Sequence, residues 1–223
     1  MANIKENLDS VLRLLPNGTR LVAVSKYHPE EAISEAYAAG QRIFGESHVQ
    51  ELTRKQATLP NDIQWHFIGH LQTNKVKYIA PFIDTIEAVD SMHLMREINR
   101  QGQRCNRRIR ILLELHIAQE ETKYGFTIEE CRAMLKEKEW KSLNNIQIAG
   151  LMMMASNTED KQQIADEFDT AARFFQEVKE NYFADDMDFC ERSWGMSHDF
   201  TIAVKHQANL VRVGTRIFGE RAY

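Results

Sequence analysis

The chain is poor in the residues that staple or segment a protein: among its 223 residues are 3 cysteines and 4 prolines. Cys105, Cys131 and Cys190 are far apart and odd in number. They have neither a CxxC spacing nor a histidine at metal-ligand spacing, which argues against a disulfide framework and a zinc site. They read as reduced thiols, and no metal is expected. No stretch is apolar for long enough to span a bilayer, and the first eight residues lack the apolar core of a secretion signal. The expectation is a cytoplasmic protein with no membrane partner. Positive charge is not in excess: a formal net charge of -4 does not suit a surface that releases counterions from nucleic acid. The one basic cluster, Arg104, Arg107, Arg108 and Arg110, lies between a predicted helix and a predicted strand and reads as a solvated turn.

Linkers are missing too. Pro16, Pro29, Pro60 and Pro81 each fall where one element should give way to the next, and no low-complexity run divides the chain. With 43% hydrophobic residues the chain can bury one substantial core, so 1–223 is read as one domain and as a monomer.

What the sequence does contain is alternation. Short runs rich in apolar residues recur eight times, at Leu21 to Ser25, Arg42 to Gly45, Trp65 to Gly69, Thr85 to Val89, Ile109 to Ile117, Ile148 to Met154, Phe189 to Met196 and Leu210 to Val213. Longer stretches of helical periodicity separate them, among them Pro29 to Ala39, Ser91 to Arg104, Ile128 to Lys138 and Asp160 to Tyr182, and Ile4 to Leu15 precedes the first strand. Strands alternating with helices call for a parallel sheet covered by helices. Eight such units predict an α/β fold, a single (β/α)8 TIM barrel with an extra N-terminal helix; an open doubly wound sheet is the alternative. Gly45, Gly69, Gly150, Gly195 and Gly214 fall at or near predicted strand ends, where glycine serves either ligand approach or simple turns.

Candidate chemistry gathers at the two ends of the chain. The first strand, Leu-Val-Ala-Val-Ser, delivers Lys26 to the barrel mouth. Poor solvation there favours the neutral amine, a nucleophile toward an aldehyde; a solvated end-of-strand charge is the plainer reading. Barrels commonly hold phosphate with the loops after strands seven and eight. Here those loops offer Ser197, Gly214 and Thr215, whose hydroxyls and N–H groups suit an anion, although a serine capping the next helix fits equally well. Arg212 shares the inner face of its strand with residues 210 and 214 and needs a partner, either a bound ligand or a strand carboxylate such as Glu46 or Glu114.

Several motifs carry a resemblance: Ala23-Val24-Ser25-Lys26, Phe44-Gly45-Glu46, Trp65-His66-Phe67-Ile68-Gly69-His70-Leu71-Gln72-Thr73-Asn74-Lys75, Gly150-Leu151-Met152, Gly195-Met196-Ser197-His198-Asp199 and Val211-Arg212-Val213-Gly214 onward to Arg221. Together they resemble the pyridoxal phosphate homeostasis protein family, also called the YggS family, over nearly the whole chain. The resemblance implies a barrel like the N-terminal domain of alanine racemase, and pyridoxal 5'-phosphate (PLP) held as a Schiff base on Lys26. It also implies phosphate contacts from Ser197, Gly214 and Thr215, Arg212 near the pyridine nitrogen, and Met196 lining the pocket. The implied role is non-catalytic: binding the reactive aldehyde and passing it to PLP-dependent apoenzymes. The alternative is an amino-acid racemase, for which Tyr27, Tyr124 and His66 are the candidate second acid/base groups. Three positions depart from the family pattern: Ser47 stands where asparagine is common, His198 where aspartate often follows Met-Ser, and Trp194 where methionine is common and where a larger side chain could reshape the phosphate loop. His66 and the Gln72 to Lys75 stretch read as packing and helix capping.

Overall fold

The computed structural model describes residues 3–117 and 124–220. Among them eight strands run parallel: β1 (Arg20–Val24), β2 (Ile43–Glu46), β3 (Gln64–Phe67), β4 (Thr85–Val89), β5 (Ile109–Leu115), β6 (Ile146–Met153), β7 (Glu191–Ser193) and β8 (Leu210–Val213). Each pairs with the next in chain order, and β8 returns to pair with β1, so the sheet closes into a barrel. The helices are α1 (Ile4–Leu12), α2 (Glu30–Ala38), α3 (Val49–Thr58), α4 (Val76–Ile79), α5 (Met92–Arg104), α6 (Ile128–Glu137), α7 (Lys161–Tyr182), α8 (Phe200–Ala203) and α9 (Thr215–Phe218). The predicted barrel is the observed one. No helix of the described residues is long and apolar enough to cross a membrane.

Two-residue alternation explains why these strands bury both faces. Outward residues such as Leu21, Ala23, Phe44, Trp65, Phe67, Ile111 and Leu113 join the helices in one large core, whereas Val22, Ile43, Leu112, Ala149, Met152 and Leu210 fill the barrel interior. Helix starts are written locally. Ser91 Oγ accepts from Leu94 N, Thr127 and Glu130 form a reciprocal capping box, and Asp160 accepts from the N–H groups of Gln162 and Gln163. α3 escapes the periodicity reading because its buried face is Val49, Leu52 and Lys55, and a lysine hides the apolar stripe.

Two expectations need correction. The arginine cluster is only partly a solvated turn: Arg104 and Arg108 are exposed, but Arg107 donates to the carbonyls of Ala80 and Ile83 at 2.7 and 2.8 Å, and Arg108 Nε donates to Ile146 O at 3.2 Å. Arg110, with Arg20, holds the buried Glu191 at the N-terminal end of the barrel. These are pins between elements. Gly150, in turn, lies inside β6 at a register shift and not at a strand end. Its φ is +157°, and a Cβ there would sit 2.0 Å from Glu191 O, so β7 approaches too closely for any side chain.

Gly150→Ala should therefore lower stability by about 3 kcal/mol or more, measured as a drop in the urea midpoint at unchanged m. A change under about 0.5 kcal/mol would show that the β6–β7 contact does not require glycine.

Candidate functional site

Closure brings the two ends of the sequence together. β8 pairs with β1 in the register Val22 to Arg212 and Ala23 to Val213, and Arg212 N donates to Gly195 O at 2.9 Å beyond the end of β7. The exits of β7, β8 and β1 are thus three consecutive positions around the mouth. Met196 and Ser197 leave the first, Gly214 and Thr215 the second and Lys26 the third. Gly214 is drawn so close to β1 that a Cβ would lie 3.0 Å from Val24 O.

The loop after β7 is tightly built. Gly195 takes φ +96°, and a Cβ there would meet Ala203 Cβ at 2.6 Å, so α8 packs directly against its backbone. Met196 N donates to the buried carboxyl of Asp199, which burial holds above its ordinary range against the pull of that hydrogen bond and of Arg212. Ser197 Oγ accepts the Gly214 N–H at 3.2 Å, which joins the two halves of the predicted anion cradle. Thr215 is exposed at the start of α9. Trp194 lies outside this loop: it is fully buried in the outer core and its Nε1 donates to His206 O at 3.1 Å.

Arg212 is 4% exposed and held by carbonyls. It donates to Ser193 O at 2.7 Å, Ser193 Oγ at 2.6 Å and Met153 O at 2.8 Å. Its nearest carboxylate is neither Glu46 nor Glu114 but Glu87, at 3.6 Å. Glu87 also meets His66 Nδ1 at 2.6 Å and accepts from Ser193 Oγ. Burial alone would raise the Glu87 carboxyl, but His66, Arg212 and Ser193 outweigh it and hold it below the ordinary value. His66 is therefore more than packing: through Glu87 and Ser193 it belongs to the network that orients Arg212.

Lys26 opens on the other side onto a cleft of about 470 Å³, lined also by Ser47, Phe67, His70, Gln72 and Lys75. Ser197, Gly214 and Thr215 do not line it. Ser47 Oγ lies 3.2 Å from His48 Nδ1, and Lys75 closes a short 3-10 turn, Thr73–Lys75, with its ammonium 5.9 Å from the Tyr78 ring. Of the three acid/base candidates, His66 is committed to Glu87, Tyr27 is exposed with its hydroxyl 3.4 Å from His48 Nε2, and Tyr124 stacks on His70 at 3.8 Å.

The residues that set Lys26 were not found by motif. Lys55, fully buried, donates to Ser25 O at 2.8 Å, Glu46 Oε1 at 2.8 Å and Glu51 Oε1 at 2.7 Å. Ser25 Oγ donates to Glu46 Oε1 at 2.6 Å, and the same Glu51 oxygen accepts Tyr27 N at 2.8 Å. Lys26 is thus bracketed by two anchored neighbours, with Tyr27 in the left-handed region at φ 66°. Burial pushes the Glu46 carboxyl up, and Lys55 and Ser25 pull it back. Glu114 is the second surprise. It is 3% exposed, its Oε2 has no hydrogen-bond partner, and burial with Asp90 and Glu87 nearby raises its carboxyl to about 7 against Arg212. Among the described residues no group of three His, Cys, Asp or Glu side chains is arranged to hold a metal.

The model of the alanine racemase N-terminal domain matches residues 1–222. The pyridoxal phosphate homeostasis protein of Aquifex aeolicus is 35% identical over 208 residues, 93% of this chain and 89% of that protein. The human protein of the same name is 38% identical over 216 residues, 92% of this chain and 77% of that one. The chain belongs to the pyridoxal phosphate homeostasis protein family. Among solved structures, PipY of Synechococcus elongatus, solved without PLP, superposes with a TM-score of 0.91 at 37% identity, covering 97% of this chain and 100% of PipY. PipY with PLP bound gives 0.87 at the same identity and coverage. Alanine racemase of Bartonella henselae shares the fold, with a TM-score of 0.75 at 16% identity over 98% of this chain and 59% of the racemase.

Two outcomes follow for this family member. Lys55→Met leaves Glu46 buried without its cation and should cost about 3–5 kcal/mol in urea unfolding. It should also speed amide exchange at Tyr27 relative to β5; unchanged exchange there would refute the clamp. Glu114→Gln should raise stability relative to the parent as pH rises. A carboxyl whose folded value is raised keeps its proton more tightly when folded, so the parent loses stability between about pH 4.5 and about pH 7. The gap should reach on the order of 3 kcal/mol above neutrality, and pH-independent differences in melting temperature would contradict it.

Proposed function

We propose that this chain binds pyridoxal 5'-phosphate at the barrel mouth, with residues 1–223 acting as one domain and one monomer in the cytoplasm. It holds the reactive aldehyde, limits its free concentration and passes it to PLP-dependent apoenzymes. The observation that carries this reading is the convergence of Lys26, Ser197, Gly214 and Thr215 on three adjacent strand exits around the buried Arg212. Family membership and the PLP-bound structure of PipY support it.

The residues present fit the group. The Gly214 N–H and Ser197 Oγ already meet each other and can turn toward an anion. A Cβ on Gly214 would crowd Val24 O at 3.0 Å, so glycine suits the close approach of β8 to β1 beside this N–H. Ser197, Gly214 and Thr215 would hold the phosphate, Met196 would line the pocket and Arg212 would face the pyridine nitrogen. When bound, PLP supplies an aldehyde that condenses reversibly with an amine as a Schiff base, with loss of water.

Lys26 is the amine for that condensation, and the anchored Ser25 and Tyr27 hold its backbone in place. Three of the Arg212 donors are spent on protein oxygens. A permanent cation there disfavours protonation of a facing nitrogen and weakens the ring as an electron sink. The chain's own groups therefore favour holding over turnover, and a non-catalytic role is the reading we adopt over racemisation. Neither nucleic acid nor membrane has a part in it.

The test combines the visible spectrum with added PLP, borohydride trapping and peptide mapping, and an assay of alanine racemisation on the same sample. The expected result is an adduct on Lys26, no interconversion, and loss of the adduct in Lys26→Ala with weak residual binding of PLP. Undiminished adduct in Lys26→Ala would refute the choice of lysine, and turnover would favour the racemase.

A further inference from the structure

Two carboxyls share the upper inner layer of the barrel and have opposite surroundings. β5 turns Arg110, Leu112 and Glu114 inward: Arg110 meets Glu191 at the base, Leu112 belongs to the inner apolar cluster, and Glu114 is level with the inward Met152 of β6. Ile111, Leu113 and Leu115 point out to the helices. Glu87 of β4 has three partners in His66, Ser193 and Arg212. Glu114 Oε2 has none among the described residues, although the side chain is 97% withdrawn from solvent by its 3% exposure.

Among the described residues, the charged groups acting on Glu114 are Asp90 and Glu87 from β4 and its exit, which oppose ionisation, and Arg212 from β8, which favours it. β6 adds Met152 and β7 adds Ser193, neither of them charged, and His66 of β3 acts on Glu87. Environments that split a pair in this way leave one carboxylate and one carboxylic acid. The acid has an O–H to donate, and Glu114 stands one residue before the end of β5, on the mouth side of the barrel.

We propose that Glu114, as a neutral carboxylic acid, donates a hydrogen bond to an acceptor atom of the ligand held at the mouth, so that binding of that ligand requires a proton on Glu114. The inference rests on the reading that the mouth holds an aromatic phosphate ester, and it adds a specificity rule: Glu114 selects an acceptor and opposes a cationic ligand.

The sign of the linkage follows. Once the free protein loses the Glu114 proton near neutrality, binding must restore it, and affinity falls by about tenfold per pH unit until the ligand-free and bound curves part no further. Glu114→Gln offers an amide N–H at every pH and escapes this fall.

The experiment is calorimetry with pyridoxine 5'-phosphate, which lacks the aldehyde and so removes Lys26 condensation, from about pH 6 to about pH 9 on the parent and Glu114→Gln. The expected result is similar affinity at the acid end and a parent that weakens relative to the variant by about tenfold per unit above neutrality. Parallel profiles would overturn the Glu114 contact alone, as would a parent that gains on the variant with rising pH, the mark of a carboxylate contact. Failure of the parent to bind either pyridoxine 5'-phosphate or PLP would overturn the reading of the mouth and this contact with it. A measurement without substitution runs alongside: the carboxyl 13C titration of Glu114 should move to higher pH when the ligand is added, and an unmoved midpoint would overturn the proposal.

Discussion

Everything in this molecule depends on the pairing of β8 with β1. The ladder runs from Arg20 and Leu210 to Ala23 and Val213 and joins segments 190 residues apart in the chain. Without it Arg212 would sit on an open sheet edge, and the hydroxyls after β7 and β8 would have no lysine beside them. Closure also removes both free edges of a parallel sheet, which is why strands as short as Glu191–Ser193 persist.

Closing a barrel over this sequence forces polar residues inward, and the interior is divided by height to accommodate them. Glu191 with Arg20 and Arg110 seals the base, an apolar layer around Val22, Leu112, Ala149 and Leu210 fills the middle, and Glu87, Ser193, Arg212 and Glu114 lie beneath the mouth. A buried charge is tolerable when paired and hydrogen-bonded. The base and the Glu87 network meet that condition. Glu114 does not, and burial pushes its carboxyl up to about 7.

The site also shows how the backbone around Lys26 is positioned from outside the barrel. Lys55 lies on α3 behind the sheet and reaches the backbone on one side of Lys26 directly, and on the other through Glu51. A left-handed Tyr27 is costly for a residue with a side chain, and these bonds hold it there.

The sequence by itself determined the architecture. Strand and helix periods, the prolines at their boundaries and the caps at Ser91, Thr127 and Asp160 are local signals, and local signals survive without tertiary context. The motifs from Ala23 to Lys26 and from Gly195 to Gly214 were legible as a family resemblance, and they singled out Lys26, Ser197 and Arg212 as candidates. Tertiary structure alone decided what each of these residues meets. Glu46 and Glu114 were the strand carboxylates considered as alternatives to a bound ligand for Arg212, yet Glu46 is taken by a lysine on a helix whose polar buried face hid it. Glu87, which no motif singled out, and His66, read as packing, are its real network. Trp194 turned outward by the two-residue alternation of its strand. Which carboxyl is paired and which is left with an acidic proton depends on the register of eight closed strands, a property of the barrel that no single stretch of sequence carries.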